Sequence, residues 1–133
     1  MLSGPRMTKE ILGDVHVYEV AADAVVHQGG MVVLDAGYAD AGKAGAGLVS
    51  VGRAEETVDN TGGADGAKTV KVKRGVFSYA NSATDPIDET HIRKTAYVED
   101  DETLAATDGT GTLSAAGKII GLDGTDAVLV ELR

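Results

Sequence analysis

The chain has 133 residues, 43% of them hydrophobic, a formal net charge of −9 and no cysteine. A charge of this sign repels phosphate, which argues against a nucleic-acid binder, and the lack of cysteine excludes disulfides and thiolate metal sites. No window approaches the ~20 apolar residues of a membrane span, and the first residues lack the apolar core of a signal peptide. We therefore expect one soluble domain, made in a cytoplasm, that binds neither nucleic acid nor membrane.

The apolar fraction consists mainly of small side chains, with one Phe and no Trp. Aromatic side chains bury the largest apolar areas, so a core of Val and Ala is stabilised less per residue. We therefore expect the protomer to gain stability by association with partners.

The first segment, residues 1–14, is predicted to be a flexible N-terminal arm, followed by one β-rich domain over residues 15–133. Gly4 and Pro5 oppose regular structure, and apolar residues are sparse in this segment. Such an arm can order on a neighbouring molecule. Its candidate contact residues are Met7, Lys9, Ile11 and Leu12.

Short apolar segments predict the strands of the first half of the chain. They are residues 16–20, 31–34 and 48–57, with a fragment at 25–27. Residues 38–47, rich in glycine and alanine without a period, predict a flexible loop. Residues 59–66, DNTGGADG, give the strongest turn signal, because each residue type there favours a turn or a positive φ. This turn predicts a long hairpin between the strands on either side.

Residues 68–79, KTVKVKRGVFSY, alternate between apolar and charged side chains. Val70 and Val72 alternate with Lys71 and Lys73, which is the period of a half-buried strand. At Gly75 the phase changes, and we interpret this change as a one-residue β-bulge.

The second half continues with short strands. Residues 95–98, 118–122 and 127–132 are predicted strands, with another short strand between the acidic and glycine-rich turns that follow residue 98. Asp123 and Gly124 predict a hairpin turn. Residues 87–93 follow a proline and begin with carboxylates, which predicts one or two helical turns. Strands of this length and spacing predict an all-β fold, a small β-barrel or β-sandwich with one short helix.

Residues 37–43, GYADAGK, have the glycine and lysine spacing of a phosphate-binding loop. Ala44 follows where that motif has the Ser or Thr that binds magnesium, and no apolar helix comes after it. A mobile surface loop is therefore the preferred interpretation, and we expect no nucleotide or other cofactor.

Four successive carboxylates, Glu99, Asp100, Asp101 and Glu102, form an acidic turn. An EF-hand loop needs spaced oxygen ligands and a glycine at the bend, and this tract has neither. A weak surface cation site is the alternative to a solvated turn. We prefer the solvated turn and expect no metal site.

Histidine and serine patterns give no indication of an enzyme. The histidines are His16, His27 and His91, which are far apart in the sequence. The serines that follow apolar segments have no nucleophile-elbow motif around them. They are Ser78, Ser82 and Ser114. We therefore expect no catalytic residues and no enzymatic activity.

Residues 48–132 contain several short motifs in a fixed order. They read V-x-V-x-x-G-V-F (70–77), K-T-A-Y-V-x-D-D (94–101), A-x-T-D-G-T-G-T (105–112), SAAG (114–117) and V-x-V-E-L (128–132). In this order they resemble the capsid cement, or head decoration, proteins of tailed bacteriophages. The resemblance covers about two-thirds of the chain, and the N-terminal third matches only loosely.

The resemblance implies a β-rich virion protein, synthesised in the bacterial host cytoplasm and bound to the outer surface of the capsid. Its partner would be the major capsid protein, whose lattice it would stabilise by bridging subunits. Threefold positions of such a lattice favour a homotrimer, with a dimer as the alternative. Met7, Lys9, Ile11 and Leu12 would then contact the capsid or a neighbouring protomer.

Two other classes of protein stay open at this stage. Another phage structural component, such as a tail or baseplate β-domain, would share this composition. A small hydrolase or carbohydrate-binding domain fits less well, because carbohydrate sites use aromatic platforms and only 4% of the residues are aromatic.

Overall fold

The computed structural model describes residues 1, 3–7, 13–124 and 126–132, and over these residues the fold is nearly all β. The strands form two lobes that follow each other in the chain. The N-terminal lobe contains β1 (Val15–Glu19), β2 (Val25–Val26), β3 (Met31–Asp35), β4 (Tyr38–Ala41), β5 (Val49–Ala54), β6 (Val58–Asp59) and β7 (Thr69–Lys73). The C-terminal lobe contains β8 (Gly75–Asn81), a 3-10 turn (Glu89–His91), β9 (Thr95–Val98), β10 (Thr103–Ala105), β11 (Ala115–Leu122) and β12 (Ala127–Leu132). The all-β prediction is confirmed.

The N-terminal lobe is a five-stranded antiparallel sheet of order β1-β7-β5-β3-β4. The sheet curls on itself, because Val20 forms a parallel bridge with Ala39 and so brings the end of β1 to β4. The short β2-β6 pair contributes Val26 and Val58 to the same core. Valine and alanine fill this core, as the composition predicted.

The C-terminal lobe is a closed barrel of order β10-β8-β12-β11-β9. Antiparallel pairs make up the barrel except at β10, which pairs parallel with β8 and closes the ring. The last strand alternates as the sequence predicted, with Val128, Val130 and Leu132 fully buried. Among the described residues, no helix is long and apolar enough to span a membrane.

The phase change at Gly75 marks a change of sheet, so the predicted bulge is wrong. β7 ends at Lys73 in the N-terminal lobe, and β8 begins at Gly75 in the barrel. Arg74 lies between them, and its main-chain N–H donates to Asp14 O at 2.7 Å. Each strand buries one face in a different core, and their two alternations need not be in phase.

Two turn predictions are confirmed. β5 and β7 pair antiparallel on either side of residues 59–66, with Arg53 opposite Lys73. Within this connection Asn60 is buried and its side-chain amide donates to Ala21 O and Ala64 O. β11 and β12 pair antiparallel around Asp123.

The flexible loop predicted for residues 38–47 is wrong in its first part, which is strand β4. β3 and β4 form a hairpin, because Ala36 and Gly37 both have positive φ, as a two-residue I′ turn requires. Asn or Asp usually occupies the first of these two positions, so Ala36 hid the turn signal.

The predicted helix over residues 87–93 is also too long. Only Glu89–His91 forms a 3-10 turn, capped by Asp88. Ile87 precedes this cap and is buried in the barrel core. Burial of Ile87 and the single capped turn therefore account for the structure of this segment, and no longer helix forms.

We expect Gly117→Ala to lower the free energy of unfolding by about 3 kcal/mol, because the added methyl cannot be accommodated. A Cβ at Gly117 would overlap the main-chain carbonyl oxygen of Glu131, on the adjacent strand β12. Gly121→Ala in the same strand is the control, since no atom lies within 4 Å of its added Cβ. Urea unfolding should leave that control within about 0.5 kcal/mol of the wild type. Equal stability of the two variants would contradict this packing.

Candidate functional site

The predicted arm contacts lie partly outside the described residues. Met7 is fully exposed, whereas Lys9, Ile11 and Leu12 are outside the described part of the chain. The end of the segment is held at Gly13, whose carbonyl accepts hydrogen bonds from the Arg74 guanidinium and from His16 Nε2. Arg74, which lies between the two lobes, therefore also holds Gly13, two residues before β1.

The phosphate-loop-like segment forms a β-hairpin and an ion-pair cluster. Lys43 Nζ lies 2.8 Å from Asp40 Oδ2 and 2.9 Å from Asp35 Oδ2. The hydrogen bond to Asp40, followed by that to Asp35, raises the pKa of Lys43. The Lys43 ammonium group, which a phosphate would need, is thus already paired with two carboxylates. Their negative charge would repel a phosphate.

The acidic turn joins the two lobes through its main chain. Asp101 O accepts a hydrogen bond from Met31 N, the first residue of β3, at 2.8 Å. Glu99 accepts from the Ser82 hydroxyl at 2.8 Å, and Asp100 accepts from Glu102 N at 2.9 Å. The carboxylates therefore serve separate local partners. Among the described residues, no group of three His, Cys, Asp or Glu side chains is placed to hold a metal ion.

The histidines lie on different elements: His16 in β1, His27 after β2, and His91 in the 3-10 turn. His91 Nδ1 accepts from the Asp88 main-chain N–H, which completes the cap of that turn. Hydrogen bonds from the Thr90 hydroxyl and main-chain N–H to the Asp88 carboxylate hold the pKa of Asp88 below its usual value. The His91 contact stabilises the turn.

The serines also make structural hydrogen bonds. Ser82 and Ser114 are buried, and Ser78 is exposed. Ser114 Oγ donates to Gly45 O at 2.6 Å and accepts from Leu48 N at 2.9 Å, so it fastens the connection before β5 to the barrel. Ser78 Oγ donates to Asp123 at 2.8 Å.

A cavity of about 670 Å³ opens where the two lobes meet. His27 and Gly29 line it from the N-terminal lobe, and Tyr79 and Glu102 from the C-terminal lobe. Tyr79 is buried, and its hydroxyl donates to Gly29 O at 2.8 Å. Burial raises the pKa of Tyr79, so the phenol stays protonated and bridges the lobes at neutral pH.

A second concave surface, of about 370 Å³, lies between β5 of the N-terminal lobe and β9 and β11 of the barrel. Its apolar residues include Leu48, Val49 and Ala116, and its charged residues are Arg93, Lys94 and Lys118. The two surfaces differ in charge, since acidic side chains line the first and cations line the second.

The outer edge of the N-terminal lobe exposes aliphatic side chains. β1 pairs with β7 on one side, and within the described residues only the bridge at Val20 joins its other side to a strand. Val15 and Val17 are 50% and 58% exposed, opposite Lys73 and Lys71 of β7. Sequence alternation predicted the strand, but it could not show that these valines lie on the solvent face.

Comparison with models of known protein families, with curated proteins and with solved structures gives no match for this chain.

Removal of the Tyr79 hydroxyl should weaken the contact between the lobes. We expect Tyr79→Phe to lower the free energy of unfolding by about 1 kcal/mol, the usual net value of one hydrogen bond. Tyr97→Phe is the matched control, because that hydroxyl makes no hydrogen bond within the described part of the chain. Denaturant unfolding of both variants gives the comparison. A loss as large in Tyr97→Phe would mean that the bond to Gly29 contributes nothing specific.

Proposed function

We propose that this protein is a structural component of a tailed-phage virion that binds the outer surface of the capsid and stabilises the lattice of the major capsid protein. Two lines of reasoning support the proposal. The motifs of residues 48–132 resemble those of capsid decoration proteins in order and in type. The fold, two small β-lobes with short connections, is compatible with a protein that acts by contact.

The observation that carries the proposal is the exposed edge of β1. A strand edge offers main-chain hydrogen bonds to another polypeptide, and exposed aliphatic side chains beside it add apolar contact. Val15 and Val17 supply those side chains, and residues 1–14 lead directly into this strand. Docking against another protein would bury this strand edge, which could otherwise pair with further chains and cause aggregation.

The proposed mechanism is bridging. A protein bound across two capsid subunits adds contacts that must break before those subunits separate. Because a lattice repeats the same site many times, a small contact at each site is sufficient. An oligomer that engages several subunits at once gains further through effective concentration. The reaction is association only, with no chemical step and no cofactor.

The proposed oligomer is a homotrimer, with a homodimer as the alternative, because the core of small side chains favours stabilisation by association. Light scattering of the purified protein at about 50 µM should give the mass of three chains, well above dissociation constants in the micromolar range. A monomer mass at that concentration would rule out a trimer formed before capsid binding.

The function is tested by particle survival. Heads of a phage that lacks this gene should lose integrity at a lower temperature than the same heads with purified protein added back, because a ligand of the assembled state stabilises it. Added exterior density in micrographs should accompany the gain. Equal survival without added density would overturn the proposal. Recovery of the protein in tail fractions would support a tail or baseplate component in its place.

The β1 edge is tested with a double variant, Val15→Ser with Val17→Ser. We expect about tenfold weaker binding to heads with a stability change below about 1 kcal/mol, because both side chains are already half exposed. Val76→Ser is the control, since Val76 is 50% exposed in β8, which is paired on both sides within the barrel. Head co-sedimentation measures both. Equal binding by the double variant and the wild type would remove β1 from the contact.

A further inference from the structure

The second concave surface, the groove between β5 and the barrel strands β9 and β11, collects the positive charge of the C-terminal lobe. Residues 75–132 contain three Lys and Arg residues against eleven Asp and Glu residues. All three cations, Arg93, Lys94 and Lys118, line this one groove.

Strand pairing brings these residues together. Lys118 of β11 lies opposite Thr95 of β9, so Lys94 is its near neighbour across the sheet. Arg93 N donates to Ile119 O at 2.8 Å, and Ile119 N donates to Lys94 O at 2.9 Å. Arg93 has a φ of 73°, a left-handed conformation that L residues adopt at a cost. The cations are therefore held together by the backbone, whatever the positions of their flexible side-chain ends.

The three cations form no ion pair with a carboxylate among the described residues. The nearest acidic neighbour in the sheet is Glu131 of β12, which lies opposite Lys118. Elsewhere in the chain, Lys43 pairs with Asp35 and Asp40, and Arg53 pairs with Glu55. Like charges held near one another repel each other, which costs stability. That cost is recovered when an anion enters the groove.

The wall of the groove formed by the N-terminal lobe is apolar, with one polar exception. Val49 is 56% exposed there, beside Leu48. The Ser50 hydroxyl oxygen, on the same wall, is buried without a hydrogen-bond partner in the described part of the chain.

We infer that this groove binds a short acidic segment of a partner polypeptide. Carboxylates of the segment contact Arg93, Lys94 and Lys118 through charge-assisted hydrogen bonds, which are the stronger class. An aliphatic side chain of the same segment packs against Leu48 and Val49. The inference rests on the proposed function only for the identity of the partner, the capsid subunit. A bridge needs two contact surfaces, and the groove supplies one in addition to the β1 edge.

Charge favours an acidic peptide over a nucleic acid or a second copy of the chain. A continuous polyanion would run from the groove onto a lobe with eleven carboxylates, and the net charge of −9 would repel it. The chain's own acidic turn is engaged, since Glu99 accepts from Ser82 and Asp100 from Glu102 N. A short local cluster of carboxylates on another protein meets neither obstacle.

The experiment uses the full chain and two dye-labelled peptides of about eight residues, one of alternating leucine and glutamate and one with glutamine in place of glutamate. Fluorescence anisotropy at physiological ionic strength measures binding. We expect micromolar affinity for the glutamate peptide and at least about tenfold weaker affinity for the glutamine peptide. The triple variant R93Q/K94Q/K118Q should also lose at least about tenfold in affinity for the glutamate peptide.

The control variant, K68Q/K71Q/K73Q, removes the same charge from exposed positions in β7 and immediately before it. It should bind within about twofold of the wild type, whereas an equal loss in both triple variants would show general charge attraction and overturn the inference. No binding up to about 1 mM, or equal binding of the two peptides, would also overturn it.

Tighter binding of an eight-nucleotide thymidylate would assign the groove to a nucleic acid. A smaller oligomer mass in R93Q/K94Q/K118Q than in the control would assign it to a second copy. Because these assays use no phage particles, their failure leaves the proposed function to its own test.

Discussion

The structure depends on the burial of strand β3 on both faces. Val32 packs in the core of the N-terminal lobe, whereas Met31 and Val33 pack in the core of the barrel. All three side chains are fully buried, and Met31 N also bonds to Asp101 O across the junction. Neither lobe can complete its core without the other, because they share this strand. The two lobes should therefore unfold as one cooperative unit.

Buried polar side chains complement a core that has few aromatic residues. Asn60 closes one end of the N-terminal lobe, Ser82 holds a barrel loop, and Ser114 fastens the N-terminal lobe to the barrel. Each of these three residues is buried and hydrogen-bonded to a connection that is distant in sequence. A core of valine and alanine defines shape less strictly than one with large rings. Specific hydrogen bonds then fix the positions of the connections.

The distribution of charge and exposed apolar surface favours a protein that acts by contact. An exposed edge strand with Val15 and Val17 lies on the N-terminal lobe. The groove with Arg93, Lys94 and Lys118 lies between the lobes. The two surfaces offer different chemistry, one main-chain and aliphatic, the other cationic. A protein that holds two neighbours together needs two such surfaces, and each of them can be altered without a change in the other.

The sequence by itself determined the all-β fold, the strands of the C-terminal hairpin and the turn at 59–66, because period-two alternation and turn residues act over a few neighbouring positions. It could not show that the phase change at Gly75 separates two sheets, or that Ala36 occupies a left-handed turn. Both depend on which strands meet in space. The groove likewise exists only in the folded chain, since Arg93 and Lys118 are 25 residues apart and only the pairing of β9 with β11 brings them together.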